Sequence, residues 1–454
     1  MNFATLEFWI LVCITTLGCR LSKDQNVKLG ILAGASIIFY LWWDYRFLIL
    51  LIGYTMVTYA ISRRIKPGEK KYTLLFVIIS LGMLGWFKYY NFFAESFSYF
   101  STANTKVLDI VLPLGISFYV LTAIGYILDI YYGKYTVETS YMKVLVFLIF
   151  FPKILSGPIE RGNVFFEKLE HMKVLTRNRL STAMQIILFG LIKKLVIADR
   201  LGAAVDAVFE HPEIYAAPAL ICASISFSIQ IYCDFSGYTD IAAGVAYLLG
   251  IELCPNFNLP YCSENPSEFW RRWHISLSSW FRDYVYIPMG GSRKKSASTY
   301  KNILCTMLLS GLWHGANWTF VLWGLIHGIA QCMYKAVHVK IKMPRGIGIV
   351  LNFIFVSIAW IYFRADSIGI GNTILQGIIG GGQSGVKYIY VYTPIYAALV
   401  FGWDYFTYKH HNGNSAYMQL DLNKTVHFGI FIAEVLLLVA LAYFGNGAFI
   451  YNKF

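Results

Sequence analysis

Apolar residues fall in runs close to the length a bilayer demands, roughly 20 residues each. The early runs begin around Phe3, Lys28, Phe47, Tyr72 and Leu108, with short polar breaks between them. Basic residues gather in alternate breaks: Arg20, Lys23 and Lys28 between the first two runs, and Arg63, Arg64, Lys66, Lys70 and Lys71 after the third. The second and fourth breaks carry almost none. Positive loops stay in the cytoplasm, so the pattern predicts membrane spans with the N-terminus outside. The first run, Leu6 to Cys19, carries Glu7 and lacks a basic n-region and a small-residue cleavage site, which predicts a retained span rather than a cleaved signal.

The alternation breaks at Val144 to Ser156, about 13 residues containing Pro152 and Lys153, too short to span without tilting. Basic residues flank it on both sides (Lys134 and Lys143; Arg161, Lys168 and Lys173), which predicts a re-entrant hairpin. Later apolar runs cover Leu180 to Val196, Ala217 to Ile231, Ile241 to Ile251, Asn302 to Trp313, Trp318 to Val337, Gly348 to Phe363, Tyr388 to Phe406 and Val426 to Phe444. Between Asn265 and Tyr286 the pattern changes. Phe269, Trp270, Trp273, Leu277, Trp280, Phe281 and Tyr284 recur at spacings of one, three and four, with Arg271, Arg272, His274, Arg282 and Asp283 among them. This spacing predicts an amphipathic helix lying at the membrane interface. Loops are expected at Gly380 to Gly382 and at His410 to Ser415, and no internal repeat of the kind common in transporters is visible.

Composition agrees: 454 residues are 57% hydrophobic, 17% aromatic and 14% charged, with a mean hydropathy of +0.54. The expected class is an all-α polytopic membrane protein. The formal charge of +13 lies in short clusters between apolar runs, as orientation signals do, so no nucleic-acid partner is expected. The eight cysteines have no paired spacing and read as small core residues.

Ionisable residues inside apolar runs are the candidates for chemistry. His314 sits among Ser310, Gly311, Trp313, Gly315, Asn317 and Trp318, where it serves either as an interhelical hydrogen-bonding residue or as part of an aromatic-walled pocket. His274 reads as a solvated interfacial histidine or as a site residue. Arg271 and Arg272 beside it suit lipid phosphates or a phosphate-bearing donor such as coenzyme A. Asp234 and Asp240 need partners: they can orient a histidine, pair with Arg271 or Arg272, or cap a helix broken at Ser236-Gly237. Metal-ligand, nucleophile-elbow and nucleotide-loop motifs are absent from the sequence, so neither a metal nor a permanently bound cofactor is expected.

Several segments together resemble the membrane-bound O-acyltransferase family. They are Asp234-Phe-Ser-Gly-Tyr-Thr-Asp240, Phe257-Asn-Leu-Pro-Tyr261, Phe269-Trp-Arg-Arg-Trp-His-Ile-Ser-Leu-Ser278, Trp280-Phe-Arg-Asp-Tyr284 and Gly311-Leu-Trp-His-Gly-Ala316, with Pro113 to Phe118 and Gly157 to Arg161. The branch they are most similar to is that of bacterial alginate O-acetyltransferases. The resemblance implies one integral-membrane domain over residues 1–454, with a catalytic region at 265–323. It also implies a shell of about 11 transmembrane helices, plus re-entrant and interfacial helices, around a central tunnel, an arrangement in which non-helical backbone at membrane depth is sheltered by protein or water.

By the same resemblance, His314 is the buried catalytic histidine and His274 a second, interfacial one, with Trp313, Arg271, Arg272, Asp234 and Asp240 around the substrates. The C-terminal run at 449–454 resembles the branch's terminal aromatic motif, in which Tyr451 would carry the acyl group, although Asn452 stands where that motif has an aromatic. The implied activity is movement of an acetyl group from cytosolic acetyl-CoA toward hydroxyls of an extracytoplasmic polysaccharide. It would take place in the bacterial cytoplasmic membrane, directly or through a periplasmic or surface acyltransferase partner. The rivals are an ion-coupled transporter using Asp234, Asp240 and His314 as a proton relay, a non-enzymatic scaffold, and, within the family, D-alanyl, lipid or protein acylation.

Overall fold

The computed structural model describes residues 3–101, 105–293, 296–337, 343–380, 387–410 and 424–443. Among them all regular structure is helical. The chain divides into two compact units: Met1–Ile187 with Ile241–Cys254, and Leu188–Asp240 with Pro255–Phe454.

In the first unit, helices α1 (Leu6–Leu21), α2 (Gln25–Leu41), α3 (Tyr45–Ser62) and α4 (Lys70–Leu84) follow one another through short polar turns. Asp24 and Asp44 cap α2 and α3 by accepting the backbone N–H groups of Asn26 and Arg46. A π turn, Gly85–Tyr89, carries α4 into α5 (Tyr90–Ser101), and α6 (Ile116–Tyr131) is buried almost throughout. Helix α7 (Tyr141–Ile149) then stops, and irregular backbone follows up to α8 (Gly162–Glu170). Every residue from 144 to 160 is buried. The segment expected to re-enter the bilayer is thus a short helix followed by turns, and protein shelters it. The Ser36 hydroxyl accepts the Phe151 N–H, and Phe8, Phe39 and Phe151 stack around that point at 5.9 to 6.1 Å. Glu160 fixes the end of the turn by pairing with Lys168 at 3.0 Å.

The boundary between the units falls within α9 (Arg177–Leu191), and a π turn, Ile192–Ala198, links that helix to α10 (Asp199–Glu210). Helix α11 (Ala217–Leu248) runs for 32 residues. The sequence pattern had suggested two runs with a break at Ser236-Gly237. The helix is continuous there, because Gly237 lets the Gly190 carbonyl approach to within 2.8 Å of where a Cβ would stand, so the glycine serves close packing. Helices α12 (Pro266–Arg272), α13 (Ile275–Phe281), α14 (Ser296–His314), α15 (Trp318–Val337), α16 (Arg345–Arg364), α17 (Ile368–Gly380), α18 (Lys387–His410) and α19 (Thr425–Leu441) complete the second unit. Trp273, Trp323 and Trp360 are fully buried at its centre.

Six described stretches are long and apolar enough to cross a bilayer: Tyr45–Ser62, Lys70–Tyr99, Arg177–Glu210, Ala217–Leu248, Trp318–Val337 and Arg345–Arg364. Four shorter apolar helices, α2, α6, α17 and α19, fall below that length, so among the described residues length and composition alone mark six spans and leave the expected count of about 11 untested.

Candidate active site

The expected interfacial helix at 265–286 is two short helices with a sharp break between them. Asn265 starts α12 by accepting the Glu268 N–H at 2.8 Å, with Pro266 in the first turn where its missing N–H costs nothing. The helix ends at Trp273, which is extended, and His274 follows in the left-handed region at φ +43°. A non-glycine residue held there costs about 1–3 kcal/mol, so the surroundings must enforce it. They do so through the 256–258 segment: Ile275 N–H donates to the Asn256 carbonyl and Asn258 N–H to that of Arg272, each at 2.9 Å.

His274 is therefore not a solvated interfacial residue. It is 0% exposed. Its apolar neighbours explain the misreading: Phe269, Trp270, Trp273, Leu277 and Trp280 are all buried, so the aromatic stripe is core rather than a lipid-facing surface. Spacing alone cannot separate those two fates.

His314 ends α14, where α14 and α15 form a tight hairpin. A Cβ on Gly311 would lie 2.2 Å from the Phe320 carbonyl oxygen, and one on Gly324 would lie 2.4 Å from that of Met307. Gly311→Ala must push the two helices apart. It should lower the unfolding temperature of detergent-extracted protein, with an overpacking cost of about 1–3 kcal/mol, whereas Gly346→Ala, where a Cβ meets nothing within 4 Å, serves as the neutral control.

Hydrogen bonds fix the tautomers of both histidines. His314 Nδ1 lies 2.6 Å from the Ser310 carbonyl oxygen, which can only accept, so Nδ1 carries the proton and Nε2 keeps its lone pair. His274 Nδ1 lies 3.0 Å from Asn256 Oδ1. That oxygen also accepts from the Ser276 N–H and hydroxyl, so His274 Nδ1 is again the donor. The rings stand 6.5 Å apart, with Trp313 edge-on to both at 6.1 and 5.0 Å. Burial, reinforced by the nearby His314, holds the His274 imidazole well below its ordinary pKa and keeps it neutral. The pair thus offers two oriented imidazoles in a buried aromatic setting.

A cavity of about 780 Å³ adjoins this region in the second unit. Trp270, Ile275, next to His274 in the chain, and Ser310, whose carbonyl holds His314, line it; Arg271, Arg282 and Lys335 supply positive charge, with Ser278, Ser279 and Gln331 as uncharged polar groups. Of the two expected arginines, Arg271 lines this cavity. Arg272 instead pairs with Glu268 at 2.8 Å and donates to the Asn258 carbonyl. Asp234 and Asp240 meet lysines. Lys194 meets Asp234 at 2.5 Å and Asp199 at 2.7 Å, and Lys193 meets Asp240 at 2.8 Å. Tyr451 and the 449–454 run lie outside the described residues.

Sequence reasoning overlooked Asn256, for which no pattern signals a role. It also overlooked Lys193, Lys194 and His327, which did carry a signal as ionisable residues within apolar runs.

Residues 136–370 match the model of the membrane-bound O-acyltransferase family. A probable alginate O-acetylase of Azotobacter vinelandii is 36% identical over 82% of this chain and 76% of its own length. A peptidoglycan O-acetyltransferase of Helicobacter pylori is 33% identical over 76% of this chain and 72% of its own. A teichoic acid D-alanyltransferase of Bacillus subtilis is 32% identical over 49% of this chain and 58% of its own. With a fully helical membrane fold, a matching family model over half its length and relatives that align along most of it, the chain belongs to the membrane-bound O-acyltransferase family and is an O-acyltransferase.

Proposed function

We propose that this chain moves an acetyl group from cytosolic acetyl-CoA to hydroxyls of an extracytoplasmic polysaccharide, an alginate-like or cell-wall polymer. The observation that carries the proposal is the pair of buried histidines 6.5 Å apart, each with Nδ1 engaged as a donor. His314 Nε2 removes the proton from the attacking hydroxyl as oxygen bonds to the thioester carbon. The C–S bond then breaks, and the departing thiolate takes that proton back from the imidazolium. His274 and Trp313 shape the space in which this happens. Arg271, with Arg282 and Lys335, suits the phosphates of the donor at the cavity.

In this reading residues 1–454 act as one acyltransferase domain of the bacterial cytoplasmic membrane, N-terminus outside, with 265–323 as its catalytic region. The acetyl group passes directly, or by way of Tyr451 and a periplasmic or surface acyltransferase. Acetyl is favoured over D-alanyl because the acetyl-transferring relatives align over more of the chain.

The test uses membranes from polymer-producing cells and acetyl-CoA labelled in its acetyl group. Base-labile label should enter the polymer. With polymer withheld, label retained at Tyr451 would mark the relayed route, and an unlabelled Tyr451 beside a labelled polymer the direct one. A polymer that takes no label from acetyl-CoA would refute the proposal.

A further inference from the structure

A third histidine lies behind the cavity wall. His327, on α15, is 0% exposed and one helical turn from Gln331, which lines the cavity. The Trp270 indole N–H, which can only donate, points at His327 Nδ1 across 3.3 Å. Nδ1 is therefore the acceptor, the ring is neutral, and its proton sits on Nε2. That second N–H is buried and has no acceptor among the described residues. Phe269 lies nearly parallel to the ring, 9° from coplanar at 6.1 Å, and Trp270 and Trp323 meet it edge-on at 5.1 and 5.0 Å.

A phenylalanine would fill this space and remove the unmatched Nε2–H, a destabilising feature, but would strand the Trp270 indole N–H instead. What imidazole supplies and a phenyl ring cannot is the lone pair that fixes Trp270. Trp270 is itself a wall of the cavity. It packs on Trp323 at 5.6 Å, and Trp323 packs on His314 at 4.9 Å.

We propose that His327 is a positioning residue of the acyl-transfer site: its Nδ1 holds the Trp270 indole, and Trp270 sets the wall between the cavity and His314. This rests on the acyl-transfer reading, and the test separates the two. Initial rates of label transfer from acetyl-CoA to polymer are measured in membranes containing wild-type protein, His314→Ala, His327→Phe, His327→Gln, Trp270→Phe and the double variant His327→Phe/Trp270→Phe. Loss of transfer in His314→Ala first establishes that the signal belongs to this site, and a wild type without signal counts against the acyl-transfer reading itself.

His327→Phe should then lose about 10- to 100-fold in rate, as small displacements in such sites do. Its unfolding temperature should stay close to that of the wild type, because the unmatched imidazole N–H is gone while the Trp270 N–H loses its acceptor. His327→Gln, whose side-chain oxygen can accept the indole N–H, should recover most of the rate. Trp270→Phe should match His327→Phe, and the double variant should be no slower than either, since both remove one interaction. Full activity in His327→Phe, no recovery in His327→Gln, or multiplied losses in the double variant would overturn the proposal.

Discussion

Changing His314 to glutamine should remove ester-linked acetate from the polymer while leaving the protein at its normal level in the membrane. A glutamine side-chain N–H can still reach the Ser310 carbonyl that His314 Nδ1 now occupies at 2.6 Å, so the local fold is kept. What it lacks is a basic nitrogen at the Nε2 position. Loss of a general base costs about 10²- to 10⁴-fold in rate. Alanine at the same position removes both functions and should be equally inactive, with some added instability from the emptied space against Trp323 and Phe363, which pack at 4.9 and 5.6 Å. Polymer acetate, protein abundance and unfolding temperature are measured together. Wild-type acetate in the glutamine variant would take His314 out of the mechanism.

The second large effect is on folding. Lys194 is the shared partner of Asp199 and Asp234, all three mostly buried, and Lys194→Met leaves two carboxylates facing a thioether. Breaking a buried pair from one side costs about 3–5 kcal/mol, because the remaining charge is stranded rather than simply unpaired. The variant should be scarce in the membrane and melt well below the wild type. Adding Asp199→Asn and Asp234→Asn to the same chain removes the stranded charges and should restore much of the protein. If that restored protein also transfers acetate, Asp234 acts through the fold; if it is abundant and inactive, Asp234 contacts substrate. Normal abundance of Lys194→Met alone would mean the pairs do not hold this part of the chain together.

The histidine at the end of α14 was legible because a lone imidazole between glycine and tryptophan has few reasons to lie in an apolar run. His274 was legible as a residue of interest but not in its surroundings. Its setting depends on the Asn256 side chain, 18 residues away, and on backbone bonds joining Asn256 to Ile275 and Asn258 to Arg272, which leave no periodic trace. The aspartates were recognised as needing partners, with a histidine, Arg271 or Arg272, or a helix end as the alternatives, and the lysines were not among them. The lysines that pair with them lie 40 and 47 residues upstream of the aspartates they meet. Helix α11 looked like two runs because its polar residues were taken for a break, whereas Asp234 and Asp240 are matched by lysines and Thr239 by the Ser236 carbonyl.

The lysine–aspartate pairs also bear on how the chain enters the membrane. Taken singly, each charged residue near the centre of a span costs an inserting helix about 2.5–3.5 kcal/mol. The stretch Arg177–Glu210 carries Lys193 and Lys194, and the next, Ala217–Leu248, carries Asp234 and Asp240. Each is apolar enough on average to span but carries charges along its length, and because the two are consecutive those charges neutralise one another. During biosynthesis the first therefore has reason to wait at the translocation site until the second emerges, so that the two pass into lipid as a matched hairpin rather than as separate helices.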